Sequence, residues 1–274
     1  MDRPDILRIS ILQPALRSDD KKFNINTIVS MIKLHIRKEH VDIFFIPNDL
    51  FRVGSEAIPG ETTEIFAEIC RENNIFIAGG MAERVTWQDK AINTGFVVCP
   101  DGRTERMQSK FNLPREETER FAGAAISNVV DIGLLKLGCV MCNDIFYPEI
   151  ARMVALNGAE LIFVPSIMLG NMLKPLEAIF QARAIENQVY IVSANGIPFG
   201  TKESNVGKSG VYSPLWYELE PRRMGSEEGF TSFIIDMENV RELKASTVDN
   251  IEDYAKNNML SSMKLQFEYR DCQT

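Results

Sequence analysis

Residues 137–166 read LGCVMCNDIFYPEIARMVALNGAELIFVPS, an apolar run, a polar turn, a helical pattern and a second apolar run. The apolar runs, Leu134–Met141 and Leu161–Val164, have the length and residue types of buried strands. Between them, Pro148–Leu156 carries the apolar spacing of an amphipathic helix. A strand, a helix and a strand in this order are typical of an α/β fold. Cys142 then lies where the first strand ends.

The same alternation continues along the chain, with short Ile-, Val- and Phe-rich runs separated by helical patterns. Strands are also predicted at Leu7–Leu12, Val41–Ile46, Ile75–Gly79, Thr94–Val98, Val189–Ala194, Gly210–Tyr212 and Phe230–Ile235. Helices are predicted at Asn26–Glu39, Glu61–Glu72 and Leu176–Asn187, and the Pro100-Asp101-Gly102 segment predicts a hairpin turn. No linker or repeat interrupts the pattern, so a single domain over residues 1–274 is expected. The more polar stretch at about 245–274 is expected to be a C-terminal arm that packs on a partner, or a tail that frays.

Composition excludes several classes of function. A net charge of −8 and a pI near 5.0 argue against nucleic-acid binding, which needs clustered Lys and Arg. The chain has no apolar run near the roughly 20 residues that span a bilayer, and its start, MDRPDILRIS, is unlike a signal peptide. We therefore expect a cytoplasmic protein with no nucleic-acid or membrane partner.

The sequence also predicts that no cofactor or metal is used. No GxGxxG follows a strand, Gly207-Lys208-Ser209 lacks the Walker glycine spacing, and the single CxxC, Cys139 to Cys142, has no second half. The chain has 5 cysteines, an odd number that favours reduced thiols, and only 2 histidines. Any catalysis should therefore use Cys, Lys and carboxylates.

Four residues could supply that chemistry, although each has an ordinary structural explanation. Cys142 ends a strand and opens toward a helix, where partial positive charge stabilises a thiolate, but a cysteine in an apolar run is more often a small buried hydrophobe. Lys110 taken alone is a solvated lysine, and Glu116 and Glu117 are loop carboxylates. Their order along the chain is more informative than any one of them.

The order and flanks of these residues resemble the nitrilase superfamily from about residue 7 to 240. The segment quoted above is similar to the block that holds the family's nucleophile. The other matching blocks are the strand Leu7–Leu12 with Gln13, the asparagines Asn24 and Asn26, the strand Val41–Ile46 with Pro47, NTGFVVCPDG (93–102) leading to Lys110, ARAIENQVYIVSANG (182–196), Gly207–Gly210 and Pro214.

The resemblance implies an αββα sandwich, two mixed sheets flanked by helices. It also implies that the Cys142 thiolate attacks an amide, carbamoyl or nitrile carbon and forms a thioester or thioimidate that water hydrolyses. Lys110 and the backbone N–H of Asn143 would stabilise the oxyanion, and the ammonium would lower the pKa of the thiol. Glu116 or Glu117 would position the substrate or the attacking water.

The resemblance also suggests which residues line the substrate pocket and how the chain assembles. Asn143, Ser166, Met168 and Phe51 are expected at the pocket for a small-molecule substrate. Family members commonly pair, so a homodimer or higher homo-oligomer is expected, through the helix after Cys142 and the C-terminal segment.

One position departs from the family pattern. The family's general base is a Glu directly after the proline that ends the second predicted strand, and here that place reads Pro47-Asn48-Asp49. An asparagine cannot accept the proton, and losing a positioned base costs about two to four orders of magnitude in rate. A one-residue bulge would move Asp49 into the glutamate position, because Gly54 follows Asp49 at the family's spacing. Without the bulge, Asn48 and Asp49 point to opposite faces of the strand.

Two functional hypotheses follow, with a weaker third. The first is an active carbon–nitrogen hydrolase, with Asp49 or another carboxylate completing the catalytic group. The second is a pseudoenzyme that keeps the fold and a reactive Cys142 and acts as a binding or scaffold protein. The third, a redox sensor formed by Cys139 and Cys142, is disfavoured because an odd spacing on a strand points the two thiols apart.

Overall fold

The computed structural model of the chain describes residues 3–48, 54–124, 126–168, 170, 173–201 and 206–246. Its strands are β1 (Ile6–Gln13), β2 (Ala15–Leu16), β3 (Ile43–Phe45), β4 (Phe76–Glu83), β5 (Ile92–Val98), β6 (Thr104–Ser109), β7 (Val130–Asp131), β8 (Lys136–Cys139), β9 (Leu161–Ser166), β10 (Tyr190–Asn195), β11 (Ile197–Pro198), β12 (Gly210–Tyr212), β13 (Arg222–Arg223) and β14 (Gly229–Asp236). Its α-helices are α1 (Lys21–Ile36), α2 (Glu61–Asn73), α3 (Pro148–Leu156), α4 (Leu173–Asn187) and α5 (Met237–Ser246).

The larger strands form two six-stranded mixed sheets. The first has the order β14-β1-β3-β4-β5-β6, with β1, β3 and β4 parallel. The second has the order β13-β12-β10-β9-β8-β7, with β8, β9 and β10 parallel. Each sheet is extended at both edges by antiparallel strands, and β2 pairs with β11 in a small separate sheet.

Three apolar layers hold the sheets and helices together. The central layer lies between the sheets, where the Phe45 and Phe163 rings are 4.9 Å apart between centroids. A second layer packs α1 and α2 on the outer face of the first sheet, and a third packs α3 and α4 on the outer face of the second. The predicted αββα sandwich is thereby confirmed.

The sheets approach each other most closely where a glycine faces a cysteine. A Cβ added to Gly95 of β5 would lie 2.5 Å from the Cys139 sulfur of β8, so a side chain there would push the sheets apart. The Cys139 side chain is fully buried in the central layer, which is the ordinary structural role of such a cysteine.

The helices follow their sequence signals, with shifted ends. The first helix was predicted from Asn26, but it begins at Lys21 because Asp20 caps it by accepting from the Phe23 N–H at 2.9 Å. The third helix matches its prediction, with Pro148 in the first turn, where its missing N–H costs nothing. The hairpin predicted at residues 100–102 is the turn between β5 and β6.

Helix α5 was not predicted, because only its Met237 and Val240 are buried. It contains the first two residues of the expected C-terminal arm, and residues 247–274 lie outside the described part of the chain. Among the described residues, no helix has both the length and the apolar character needed to cross a membrane.

Candidate active site

Residues with candidate chemistry follow the ends of strands in both sheets. Asn48 follows β3, Lys110 follows β6 and Cys142 follows β8. In parallel α/β sheets the carboxyl ends of the strands meet at one edge, which is where ligands usually bind. The long-range contacts described below join these segments at that edge.

Cys142 is the first residue of a short 3-10 helix, Cys142–Phe146, and lies at the strained turn into it from β8. Its φ is +52°, in the left-handed region that side chains other than glycine rarely adopt. Such a conformation costs on the order of 1–3 kcal/mol and is characteristic of functional sites, where it presents a side chain that a regular strand would not. Cys142 and Cys139 are both free thiols, and the Cys139 sulfur contacts Met141 at 3.6 Å in the core.

The backbone N–H groups of Asn143 and Ile167 lie on the side of the Cys142 thiol where they lower its pKa. Burial nevertheless raises its pKa above the ordinary value, and Glu117 adds to the rise, while Lys110 and the two N–H groups lower it. Lys110 thus acts on the thiol in the expected direction, but the net shift of the Cys142 pKa is upward because of burial. Desolvation outweighs the lysine, whose charge is offset by its own carboxylate partner.

That partner is Glu117. The Lys110 Nζ donates to both Glu117 carboxylate oxygens, at 2.8 and 2.7 Å, and the Lys110 residue is only 1% exposed. The short 3-10 helix Arg115–Glu117 turns Glu117 inward and leaves Glu116 exposed. The structure thus distinguishes two carboxylates that the sequence left equivalent.

Asp144 ties the cysteine segment to the lysine segment. Its buried carboxylate accepts from the N–H of Phe111 at 2.8 Å, and from the N–H and side-chain amide of Asn112 at 2.9 and 3.2 Å. Burial raises the pKa of Asp144, although these donors and Lys110 act in the opposite direction. The hydrogen bonds fix the backbone directly after Lys110 to the backbone directly after Cys142.

Asn48 is buried between the sheets, with 4% of its surface exposed. A Cβ added to Gly80 would lie 2.8 Å from the Asn48 Oδ1 and 3.1 Å from the Met141 methyl, so the amide lies beside the residue that precedes Cys142. Among the described residues, the Asn48 Oδ1 has no hydrogen-bond partner. Asp49 lies outside the described residues, and so does Phe51.

The predicted pocket residues have different surroundings. The Asn143 side-chain oxygen is buried without a partner among the described residues, close to the site through its own backbone N–H. The Ser166 hydroxyl donates to the Asn195 Oδ1 at 3.1 Å, and Met168 packs in the apolar layer beneath α4. These contacts of Ser166 and Met168 are to buried residues, and the backbone of Ile167 between them lowers the pKa of Cys142.

Sequence reasoning named Ile167 only within the Ser166–Met168 stretch expected at the pocket, and it did not single out Asp144 or Asn195. Asp144 has a weak local signal, an acidic residue two positions after the candidate nucleophile, whereas the role of Asn195 depends on contacts across the fold. Within the described part of the chain, no three His, Cys, Asp or Glu side chains are grouped as metal ligands.

Solved structures with the same arrangement of helix-flanked sheets define the class of fold. An amidase from Nesterenkonia sp. aligns with a TM-score of 0.74 over 95% of this chain and 96% of its own, at 19% identity. Saccharomyces cerevisiae Nit3, described as a member of branch 10 of the nitrilase superfamily, aligns with a TM-score of 0.75 over 90% and 96%, also at 19% identity. The fold is that of the nitrilase superfamily.

Sequence similarity identifies the family within that class. The model of the carbon–nitrogen hydrolase family matches residues 8–244, so the chain belongs to this family. A nitrilase from Pyrococcus abyssi is 30% identical over 204 residues, covering 74% of this chain and 75% of that protein. An omega-amidase from Xenopus tropicalis is 29% identical over 259 residues, covering 86% and 91%.

Proposed function

We propose that the chain hydrolyses a small amide, N-carbamoyl compound or nitrile through a covalent intermediate on Cys142. With an amide, the Cys142 sulfur bonds to the carbonyl carbon, the C=O electron pair moves to oxygen, and the C–N bond breaks as the C=O re-forms. The thiol proton leaves with the amine, and water then hydrolyses the thioester. With a nitrile, addition gives a thioimidate.

One observation carries this proposal: a strained, sulfur-presenting turn lies beside a buried lysine that is paired with a carboxylate. Lys110 is held by Glu117, and Asp144 links the Lys110 and Cys142 segments. A buried cation and the Asn143 N–H next to a nucleophile suit the stabilisation of a developing oxyanion. A purely structural lysine would more often be solvated.

The raised pKa of Cys142 means that a base must remove its proton during attack. Asn48 cannot do so. The buried Asn48 amide already occupies the space between Gly80 and Met141, which favours Asn48 rather than Asp49 in the position of the family's glutamate. Glu117 is then the candidate base, because it is the carboxylate whose charge raises the Cys142 pKa.

The substrate class rests on the relatives, whose names describe a nitrilase and omega-amidases. We further propose a cytoplasmic location, a single domain with a C-terminal arm, and a homodimer or larger assembly. Tyr147, directly before α3, and Ile185, in α4, are each 46% exposed and supply apolar surface for pairing. Sedimentation should then give at least about twice the 31.0 kDa of one chain.

The test is ammonia release from short aliphatic amides, N-carbamoyl compounds and nitriles. Cys142→Ala should abolish release, and Glu117→Gln should lower it by about two to four orders of magnitude if Glu117 is the base. The matched control is Glu116→Gln, an exposed neighbour that should behave like wild type. Loss in Asp49→Asn with retention in Glu117→Gln would instead assign the base to Asp49.

Asn48 favours a second candidate function, a pseudoenzyme that binds a ligand or another protein, because its buried Oδ1 has no hydrogen-bond partner among the described residues. This candidate predicts that wild type labels with thiol reagents and releases no ammonia. Activity that appears only in Asn48→Glu would show that the site lacks just its base. Ammonia release by wild type that Cys142→Ala abolishes would refute this alternative.

A further inference from the structure

The loop between β6 and β7 carries Glu117, and the core gives it little support. Among its described residues, 111–124 and 126–129, only Phe121 is buried. A segment with so few buried contacts depends on its hydrogen bonds for a fixed conformation. The Asp144 carboxylate fixes the start of the loop, so the question is what fixes its return.

The Ser109 hydroxyl holds the returning part of the loop. Ser109 is the last residue of β6, directly before Lys110, and it is fully buried. Its Oγ donates to the Ala124 carbonyl oxygen at 2.9 Å and accepts from the Ile126 N–H at 3.0 Å. A hydroxyl can donate one hydrogen bond and accept another at the same time, so both contacts form together.

Backbone hydrogen bonds fix the same residues to their surroundings. The Ser109 N–H donates to the Ile126 carbonyl oxygen at 2.9 Å, so Ser109 binds the returning segment through its backbone and its side chain. The Lys110 N–H donates to the Asn93 carbonyl oxygen of β5 at 2.8 Å. The loop that begins after Lys110 therefore closes on the residue directly before Lys110.

The rest of the loop links this closure to Glu117. The Glu117 carbonyl oxygen accepts from the Phe121 N–H at 2.9 Å, and the Ala122 N–H donates to the Ala91 carbonyl oxygen at 2.8 Å. The chain then reaches the carbonyl oxygen that Ser109 holds. A shift of the returning segment would therefore act on the turn that directs the Glu117 carboxylate.

We propose that Ser109 is a positioning residue that keeps Glu117 against Lys110 by closing the loop between them. The inference rests on the proposed function, in which Glu117 accepts the proton of the Cys142 thiol. A displacement of about 1 Å at a reacting group can cost 10²-fold in rate. A base carried by a weakly packed loop therefore needs a contact that fixes the loop.

The variants Ser109→Thr and Ser109→Val isolate the hydroxyl. Both add a methyl group at a buried position, so they share the steric cost, and only threonine keeps the O–H group. Relative to Ser109→Thr, Ser109→Val should lower kcat for ammonia release by about tenfold or more, with KM changed far less. If Ser109→Val does not fold, Ser109→Ala takes its place, with wild type as the reference.

A double-mutant cycle separates the positioning of Glu117 from a general loss of structure. In the Glu117→Gln background no base remains to be positioned. The difference in kcat between Ser109→Val and Ser109→Thr should then fall to about twofold or less, which is the usual limit for independent sites. A merely structural role would give the same ratio of kcat values in both backgrounds.

The pH profile of iodoacetamide alkylation gives a second readout, which needs no turnover. It is followed on the Cys142 peptide by mass spectrometry. Because Glu117 raises the pKa of Cys142, displacing its carboxylate should move the profile to lower pH. Ser109→Val should show this shift relative to Ser109→Thr, and Glu117→Gln should remove the difference.

Ser213→Ala is the control for loss of a buried hydroxyl elsewhere in the fold. Ser213 directly follows β12 and is 3% exposed, and its Oγ accepts from the Leu215 N–H at 3.1 Å. This variant should match wild type in kcat and in the alkylation profile, because its hydroxyl does not contact the loop that carries Glu117.

The outcomes are distinct. A loss of kcat and a shift of the alkylation profile that both disappear in the Glu117→Gln background support the inference. Equal effects in both backgrounds, or no effect of the hydroxyl, overturn it. Failure of the proposed function looks different, because wild type would then release no ammonia while the alkylation profiles would still report whether Ser109 positions Glu117.

Discussion

Replacing Asp144 by Asn tests how the cysteine and lysine segments are held together. The carboxylate accepts three hydrogen bonds, from the N–H of Phe111 and from the N–H and side-chain amide of Asn112. An amide offers one oxygen, which can keep the two Asn112 bonds. Its NH₂ group then faces the Phe111 N–H, and two donors meet without an acceptor.

The cost follows from this mismatch. A buried donor left without a partner costs about 1–3 kcal/mol, and the neutral amide recovers part of this because it escapes the desolvation that raises the pKa of Asp144. We therefore expect Asp144→Asn to lower the free energy of unfolding by about 1–2 kcal/mol at neutral pH. For a domain of this size, that lowers Tm by about 2–8 °C.

The assay is thermal and urea unfolding followed by circular dichroism, beside Asp89→Asn, which removes the same charge from an exposed position. Turnover should also fall by about tenfold or more, because the backbone after Lys110 loses its anchor. The reasoning is refuted if Asp144→Asn unfolds at the same temperature as Asp89→Asn and retains its activity.

The remaining predictions concern pH and packing. The folded pKa of Asp144 is raised above its ordinary 3.8, so the contribution of this group to stability is complete below that value and is lost as pH rises through the folded pKa. In urea titrations, the difference in free energy of unfolding between wild type and Asp144→Asn should therefore grow from pH 7 to pH 4. A difference that shrinks would contradict this. Since Lys110 lowers and Glu117 raises the pKa of Cys142, the pH profile of iodoacetamide alkylation should shift to higher pH in Lys110→Met and to lower pH in Glu117→Gln. Shifts in the same direction would count against the placement of Lys110 and Glu117 beside Cys142. Gly95→Ala should lower the free energy of unfolding in urea by about 1–3 kcal/mol, because the added methyl group overpacks against Cys139. The loss caused by Gly95→Ala should be smaller when Cys139 is also replaced by Ala. Additive losses in the double variant would show that the two residues do not contact each other.

Much of the fold was predictable because its strands are continuous apolar runs and its helices carry regular apolar spacing. The nine predicted strands and four predicted helices all have counterparts in the structure. The strands β2, β7, β11 and β13 have two residues each, too few to show a pattern, and α5 is polar on most of its surface. These elements form because the surrounding structure pairs or covers them.

By itself, the sequence determined the αββα class and the family. It also identified Cys142, Lys110 and Asn48 as the residues to examine, since these conclusions depend on order and spacing along the chain. Only the tertiary structure decided that Glu117 rather than Glu116 pairs with Lys110, and that burial outweighs the lysine at the Cys142 thiol. It alone also brought the Asn195 side chain to Ser166 and Met168, 29 and 27 residues away in sequence. Hydrogen bonds and desolvation depend on distances across the fold, and a linear pattern of residue types does not contain those distances.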